Sequence, residues 1–127
     1  MTIERIQPEG MHRPTGYTHV VKAGNLAFLA GQTATDSSGN VVGVGNVEAQ
    51  ADQVYENIKT ALASVGANLT SLIKTTTSLT RSEDIDGYRR ARAKHIPTDL
   101  PASTLLFVTG LANPLYLIEI EVIAALD

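Results

Sequence analysis

The alternation of apolar and polar positions divides the chain into five strands and two helices. From Tyr17 onward the pattern predicts a hairpin, with residues 19–23 and 26–32 extended and Gly24-Asn25 as its two-residue turn. In the second of these strands Leu26, Phe28 and Ala30 point one way and Ala27, Leu29 and Gly31 the other, so both faces are expected to be buried. Residues 35–45, rich in Gly, Ser, Asp and Asn, read as a loop with room for a short edge strand at Val41-Val42. Asn46 can cap a helix whose apolar residues Ala51, Val54, Tyr55, Ile58, Ala61, Leu62 and Val65 fall on a single face, until Gly66 ends it in a left-handed conformation.

Leu72 to Thr80 is rich in β-branched residues and predicts a strand, although Thr75, Thr76 and Thr77 make it polar for its place. Ser82 opens a second helix, with Glu83 and Asp84 in its first turn and a thin inner face of Ile85, Tyr88 and Ala91, and Pro97 stops it. A strand at 103–109, a turn at 110–114 and a last strand at 116–125 follow, and Ile3 to Ile6 can add an initial strand. This order predicts an α+β fold, one mixed sheet with two helices on one face. Two helices cover only one side of such a sheet. The other side would present Leu, Ile, Val and Phe to water, which predicts burial against further copies of the chain.

The length, 127 residues, suits one domain over residues 1–127. Hydrophobic residues make up 43 % and charged residues 18 %, against disorder, and no apolar run approaches the ~20 residues of a membrane span. The start, Met1 to Arg5, is unlike a secretory signal, so a cytoplasmic location is expected. There is no cysteine, which excludes disulfides, thiolate metal sites and cysteine nucleophiles. A formal charge of −3 gives no general attraction for nucleic acid, and the basic run Arg89, Arg90, Arg92, Lys94 and His95 reads as a solvated helix end.

The common catalytic signatures are absent: no Gly-x-Gly-x-x-Gly, no P-loop, no His-Glu-x-x-His and no Gly-x-Ser-x-Gly. His12, His19 and His95 are too scattered for a metal set and read as surface or hairpin residues. In the last strand Ile118, Ile120 and Val122 share one face, and Glu119 and Glu121 share the face away from the helices. A carboxylate there must be paired, hydrated or protonated, and a raised pKa would suit it to acid–base work. For Glu121 an intersubunit ion pair is the preferred reading.

Several stretches together resemble the reactive-intermediate deaminases, also called Rid or YjgF-like proteins. They are Gly16-Tyr17, the Gly24-Asn25 turn followed by Ala30-Gly31-Gln32, Val47-Glu48-Ala49-Gln50-Ala51 through Asn57-Ile58-Lys59, Ile73-Lys74-Thr75-Thr76, Pro101-Ala102-Ser103-Thr104 and Ile118 to Val122. The resemblance covers nearly the whole chain. It implies a chorismate-mutase-like fold of the bacillus type, with six strands and two helices, in a homotrimer with clefts between neighbouring subunits. It implies hydrolysis of enamines and imines to keto acids and ammonia, with neither metal nor cofactor.

Carried over by position, Glu119 matches the glutamate that helps to hold a water, Tyr17 the pocket tyrosine and Gly31 the cleft glycine. The family's Pro-Ala-Arg-Ser reads Pro-Ala-Ser-Thr here, so Ser103 replaces the arginine that grips the substrate carboxylate. A guanidinium offers two charge-assisted bonds and a hydroxyl one neutral donor, so affinity for an imino acid should fall by roughly tens of fold. Ala30 stands where many members have serine and Leu105 where deaminases often have cysteine, making the cleft more apolar. Arg89 stands where better-known members tend to have asparagine and could supply a cation from another direction, as could Arg13 or Lys74. Two functions compete: a hydrolytic deaminase with a substrate other than the usual 2-imino acids, and a non-catalytic binder of a keto acid-like metabolite. A third, nucleic-acid cleavage, is disfavoured by the acidic charge.

Overall fold

The computed structural model describes residues 1–127 and contains six strands and two helices. The strands are β1 (Ile3–Ile6), β2 (Val20–Ala23), β3 (Leu26–Gln32), β4 (Leu72–Leu79), β5 (Ala102–Phe107) and β6 (Ile118–Ala125), and the helices are α1 (Val47–Ala63) and α2 (Ile85–His95). They form one sheet in the order β1-β2-β3-β6-β4-β5, in which only β4 and β5 run parallel. The hairpin closes at Gly24, whose φ of 60° is the left-handed conformation that glycine adopts without strain.

Helix α1 begins as its sequence dictates: the Asn46 side-chain oxygen accepts the Ala49 N–H, satisfying one of the free amides of the first turn. It ends where Gly66 turns left-handed and the Ala67 N–H reaches the Leu62 carbonyl. Its Val54, Ile58 and Leu62 bury themselves against Leu29 of β3 and Ile118, Ile120 and Val122 of β6. The start of α2 departs from the expected serine cap. Residues 82–84 form a 3-10 turn without a side-chain cap, and Arg81 holds Asp84 through two bonds of 2.8 and 2.9 Å instead.

Two buried amides of α1 tie the helix to the loops that lead into the site. Gln50 donates to the carbonyls of Gly43 and Leu115 and accepts the Leu117 N–H, fixing the entry into β6. Asn57 donates to the carbonyls of Thr33 and Thr35, just after β3. Replacing Asn57 by leucine leaves both carbonyls without that donor, and urea denaturation should show a loss of about 1–3 kcal/mol.

Both helices lie on one face of the sheet. The other face carries Phe28, Lys74, Thr76, Glu121 and Ile123 around a shallow depression of about 280 Å³. Phe28 there is 41 % exposed, so the expectation that both faces of β3 are buried fails within a single protomer.

Candidate functional site

β3 is not a regular strand. Leu29 pairs with Val122 and Gln32 with Ile120, so Ala30 and Gly31 together stand opposite the single residue Glu121. This bulge overturns the simple alternation read from the sequence. Leu29 and Gln32 both turn inward and are buried, and Gly31 turns to the open face.

There Gly31 meets Glu119. A methyl group built on Gly31 would lie 2.6 Å from Glu119 Cδ and 2.9 Å from its Cγ, so the glycine is needed for the carboxylate to lie where it does. Burial pushes the Glu119 carboxyl above the ordinary carboxylate range, and the like charge of Glu121 on the same face adds to the shift.

Tyr17 belongs to this group. Its hydroxyl is held above its ordinary pKa first by burial, then by Tyr116 and by Glu119, which places Tyr17 within the field of the carboxylate. Beneath it, sequence reasoning missed a polar network. The two histidines read as scattered come together, with the rings of His12 and His19 edge to face at 4.9 Å. His19 is buried, not a surface residue: its Nε2 lies 2.9 Å from the His12 carbonyl and its Nδ1 3.2 Å from Gln32 Nε2. The same Gln32 amide donates to the Ala30 carbonyl, so the network braces the bulge from within. The Tyr17 hydroxyl lies 3.5 Å from His12 Nε2. No group of histidines and acids has the geometry to hold a metal ion.

The remaining residues lie elsewhere. In β5, Ser103 pairs with Thr75 and Leu105 with Thr77, threonines buried beneath the helices, so Ser103 and Leu105 belong to the helix face. Glu119 pairs with Ser78 on the opposite face. Within one protomer, therefore, Tyr17, Ala30, Gly31 and Glu119 lie on the side of the open face, and Ser103 and Leu105 are separated from them by the thickness of the sheet.

Ser103 lines a cavity of about 140 Å³ with Tyr55, Thr75, Tyr88, Arg92 and Ile96, rimmed by Leu100 and Pro101. Arg89 is exposed on α2 and is not among these lining residues. Lys74 lies on the open face, its ammonium 2.7 Å from the Thr104 hydroxyl. Arg13 lines a separate small pocket with His12 and Glu9.

The basic run on α2 is not simply solvated. Arg90 pairs with Glu48, and Lys94 and His95 both pair with Asp52, all across to α1. The His95 ring also stacks on Tyr55 at 4.9 Å. These partners lie more than forty residues away in sequence, which is why the run looked free.

Comparison with known proteins places these features in context. The family model described as Endoribonuclease L-PSP matches residues 10–126. A RutC family protein of Pyrococcus horikoshii is 35 % identical over 122 residues, covering 95 % of this chain and 96 % of the relative. The chloroplastic Reactive Intermediate Deaminase A of Arabidopsis thaliana is 35 % identical over 111 residues, 87 % of this chain and 58 % of that protein. The crystal structure of RidA from an Antarctic Psychrobacter superimposes with a TM-score of 0.89 at 28 % identity, covering 97 % of this chain and 99 % of that one.

Proposed function

This chain belongs to the Endoribonuclease L-PSP family, which includes the RutC and Rid proteins, and on that premise we propose that it is a cytoplasmic homotrimer that hydrolyses enamines or imines, other than the usual 2-imino acids, in clefts between protomers. The observation that carries this reading is the carboxyl of Glu119, half-buried against the bulge at Gly31 on the face that no helix covers. A residue set split between the two faces of a sheet becomes one site only when the open face of one protomer meets the helix face of another.

In such a cleft the chemistry needs water, a base and an acid. Glu119 as carboxylate takes a proton from water as the oxygen adds to the carbon of a protonated C=N bond, which an enamine reaches by taking a proton on its carbon, giving a neutral carbinolamine. The protonated Glu119 gives that proton to the nitrogen, and as the C–N bond breaks its carboxylate takes the hydroxyl proton, so that a carbonyl product and ammonia leave and the proton passes to the departing ammonia. A carboxyl with raised proton affinity suits both steps. No metal or cofactor has a part in it.

The test is a coupled assay in which an amino-acid oxidase generates 2-iminopropionate. Wild type should hydrolyse it poorly, and Ser103→Arg should gain roughly tens of fold by restoring a two-bond grip on the carboxylate. A wild-type rate equal to that of an arginine-containing relative would overturn the reading of Ser103. Enamine hydrolysis that survives Glu119→Ala unchanged would overturn the mechanism.

Ser103 also supports a second reading, a non-catalytic binder of a keto acid-like metabolite, which saturable binding without turnover would distinguish. RNA cleavage, the activity that the family model's description names, is disfavoured by the charge of this chain. The net charge is −3, and three of the basic residues of α2 are already paired with carboxylates of α1.

A further inference from the structure

His12 carries an imidazole that the proposed reaction does not use. Its Nε2 lies 3.5 Å from the Tyr17 hydroxyl, and its ring stands edge to face with that of His19 at 4.9 Å. Tyr17 in turn sets its ring edge to face on His19 at 5.8 Å, and the Gln7 side-chain amide donates to its backbone carbonyl at 2.9 Å. The Gln7 side-chain oxygen accepts the His19 N–H at 3.0 Å, so the three rings are held as one group. Through His19, Gln32 and the Ala30 carbonyl this group is tied to the bulge that places Gly31 against Glu119.

The surroundings of each ring nitrogen decide where the protons lie. His19 Nε2 faces the His12 carbonyl at 2.9 Å and can only donate to it, which leaves Nδ1 to accept from the Gln32 amide. His12 Nδ1 is buried and has no hydrogen-bonding partner, although Glu9 and Arg13 line the same small pocket. A buried N–H without an acceptor costs more than a bare lone pair, so the proton of His12 belongs on Nε2. Burial, and then the neighbouring His19, hold the His12 imidazole below its ordinary pKa of 6.5, so the ring is neutral at pH 7. Nε2–H then points at the oxygen of Tyr17, a phenol that keeps its own proton because burial raises its pKa. With its oxygen accepting from His12, the phenol has its proton free to donate elsewhere.

We infer that His12 is a positioning residue, its Nε2–H donating to the Tyr17 oxygen and so turning the Tyr17 hydroxyl proton toward the cleft as a hydrogen-bond donor for the substrate. The inference deepens the proposed function and rests on it for the reacting atoms. As the C–N bond breaks and Glu119 takes the hydroxyl proton, negative charge gathers on the oxygen that becomes the product carbonyl. A donor aimed at that oxygen stabilises the charge where it develops, and a donor free to turn away does so for only part of the time. His12 acts on the rate through Tyr17, without touching the substrate.

The tautomer is read without turnover by nitrogen NMR of the intact protein carrying isotope-labelled histidine. His12 should show a protonated Nε2 and a bare Nδ1 at pH 7, and Tyr17→Phe should shift its Nε2 signal and leave that of His95 unmoved. In the enamine assay Tyr17→Phe should lower kcat by about a hundredfold with KM within about twofold, and His12→Phe should lower kcat by about tenfold. The double variant should be no slower than Tyr17→Phe alone, because His12 acts only through that hydroxyl. His12→Gln, whose amide nitrogen reaches the place of Nε2, should keep most of the wild-type kcat. His12→Asn, whose amide reaches only the place of Nδ1, should behave as His12→Phe. A proton on Nδ1, a charged His12 at pH 7, a double variant slower than Tyr17→Phe or a wild-type kcat in His12→Phe would overturn the inference. A wild type that hydrolyses no enamine would sink the proposed reaction, and the role of His12 would then stand or fall on its tautomer alone.

Discussion

Replacing Glu119 by glutamine is expected to lower hydrolysis by about 10²–10⁴-fold, the usual contribution of a positioned acid–base group, while the protein becomes more stable at neutral pH. The stability change follows from the direction of the Glu119 shift. Burial raises its folded pKa above the ordinary 4.5, so the folded state favours the protonated carboxyl. The stability linked to that form is fully present below about pH 4.5 and is lost as pH rises through the folded value. At pH 7 wild type carries the cost of a half-buried charge and the glutamine variant does not. Melting temperatures measured from pH 3 to pH 8 should therefore show the variant above wild type at neutral pH and the two converging in acid. A variant less stable than wild type at pH 7 would mean that Glu119 is held by a partner cation and is not a free carboxyl awaiting substrate.

Gly31→Ala should also lower activity, by about 10²-fold, for a steric reason. The added methyl overlaps Cγ and Cδ of Glu119, and the side chain must swing to another rotamer to escape. Such a move costs on the order of 0.5–1.5 kcal/mol, so the fold should survive it. The carboxylate would nonetheless sit an ångström or more from its place, and displacements of that size can cost about a hundredfold in rate. The double variant Gly31→Ala with Glu119→Gln should be no slower than Glu119→Gln alone, because both act through one carboxyl. Steady-state rates of the three variants, with circular dichroism to confirm folding, decide it. A double variant much slower than either single one would mean that Gly31 acts on its own account.

Much of this architecture was legible in the sequence because it is local. The Gly24-Asn25 turn, the Asn46 cap, the apolar stripe of α1 and the alternation from Ile118 to Val122 each name their own element, and they form as read. The bulge was not legible. A strand apolar on both faces gives no signal when one extra residue shifts its period, and Ala30-Gly31-Gln32 looks regular until Leu29 and Gln32 are both seen facing the core. The burial of His19 followed the same path, since its partners are Gln32 and the His12 carbonyl, neither of them a sequence neighbour.

The site was legible in its members and not in their arrangement. Glu119, Gly31 and Ser103 could each be singled out, but which face of β5 carries Ser103 depends on its parallel register with β4.

The central claim, that the two faces of the sheet complete one site only across a protomer boundary, is tested most directly by subunit mixing. Glu119→Gln disables the open-face half, and Ser103→Phe fills the helix-face half. Each variant alone should be inactive. Unfolded, mixed in equal amounts and refolded together, they should regain about a quarter of the wild-type rate, because three-quarters of random trimers are mixed and each of those holds one intact cleft in three. Recovery near that level is the predicted result, and no recovery from a mixture shown by native mass spectrometry to contain mixed trimers would contradict it.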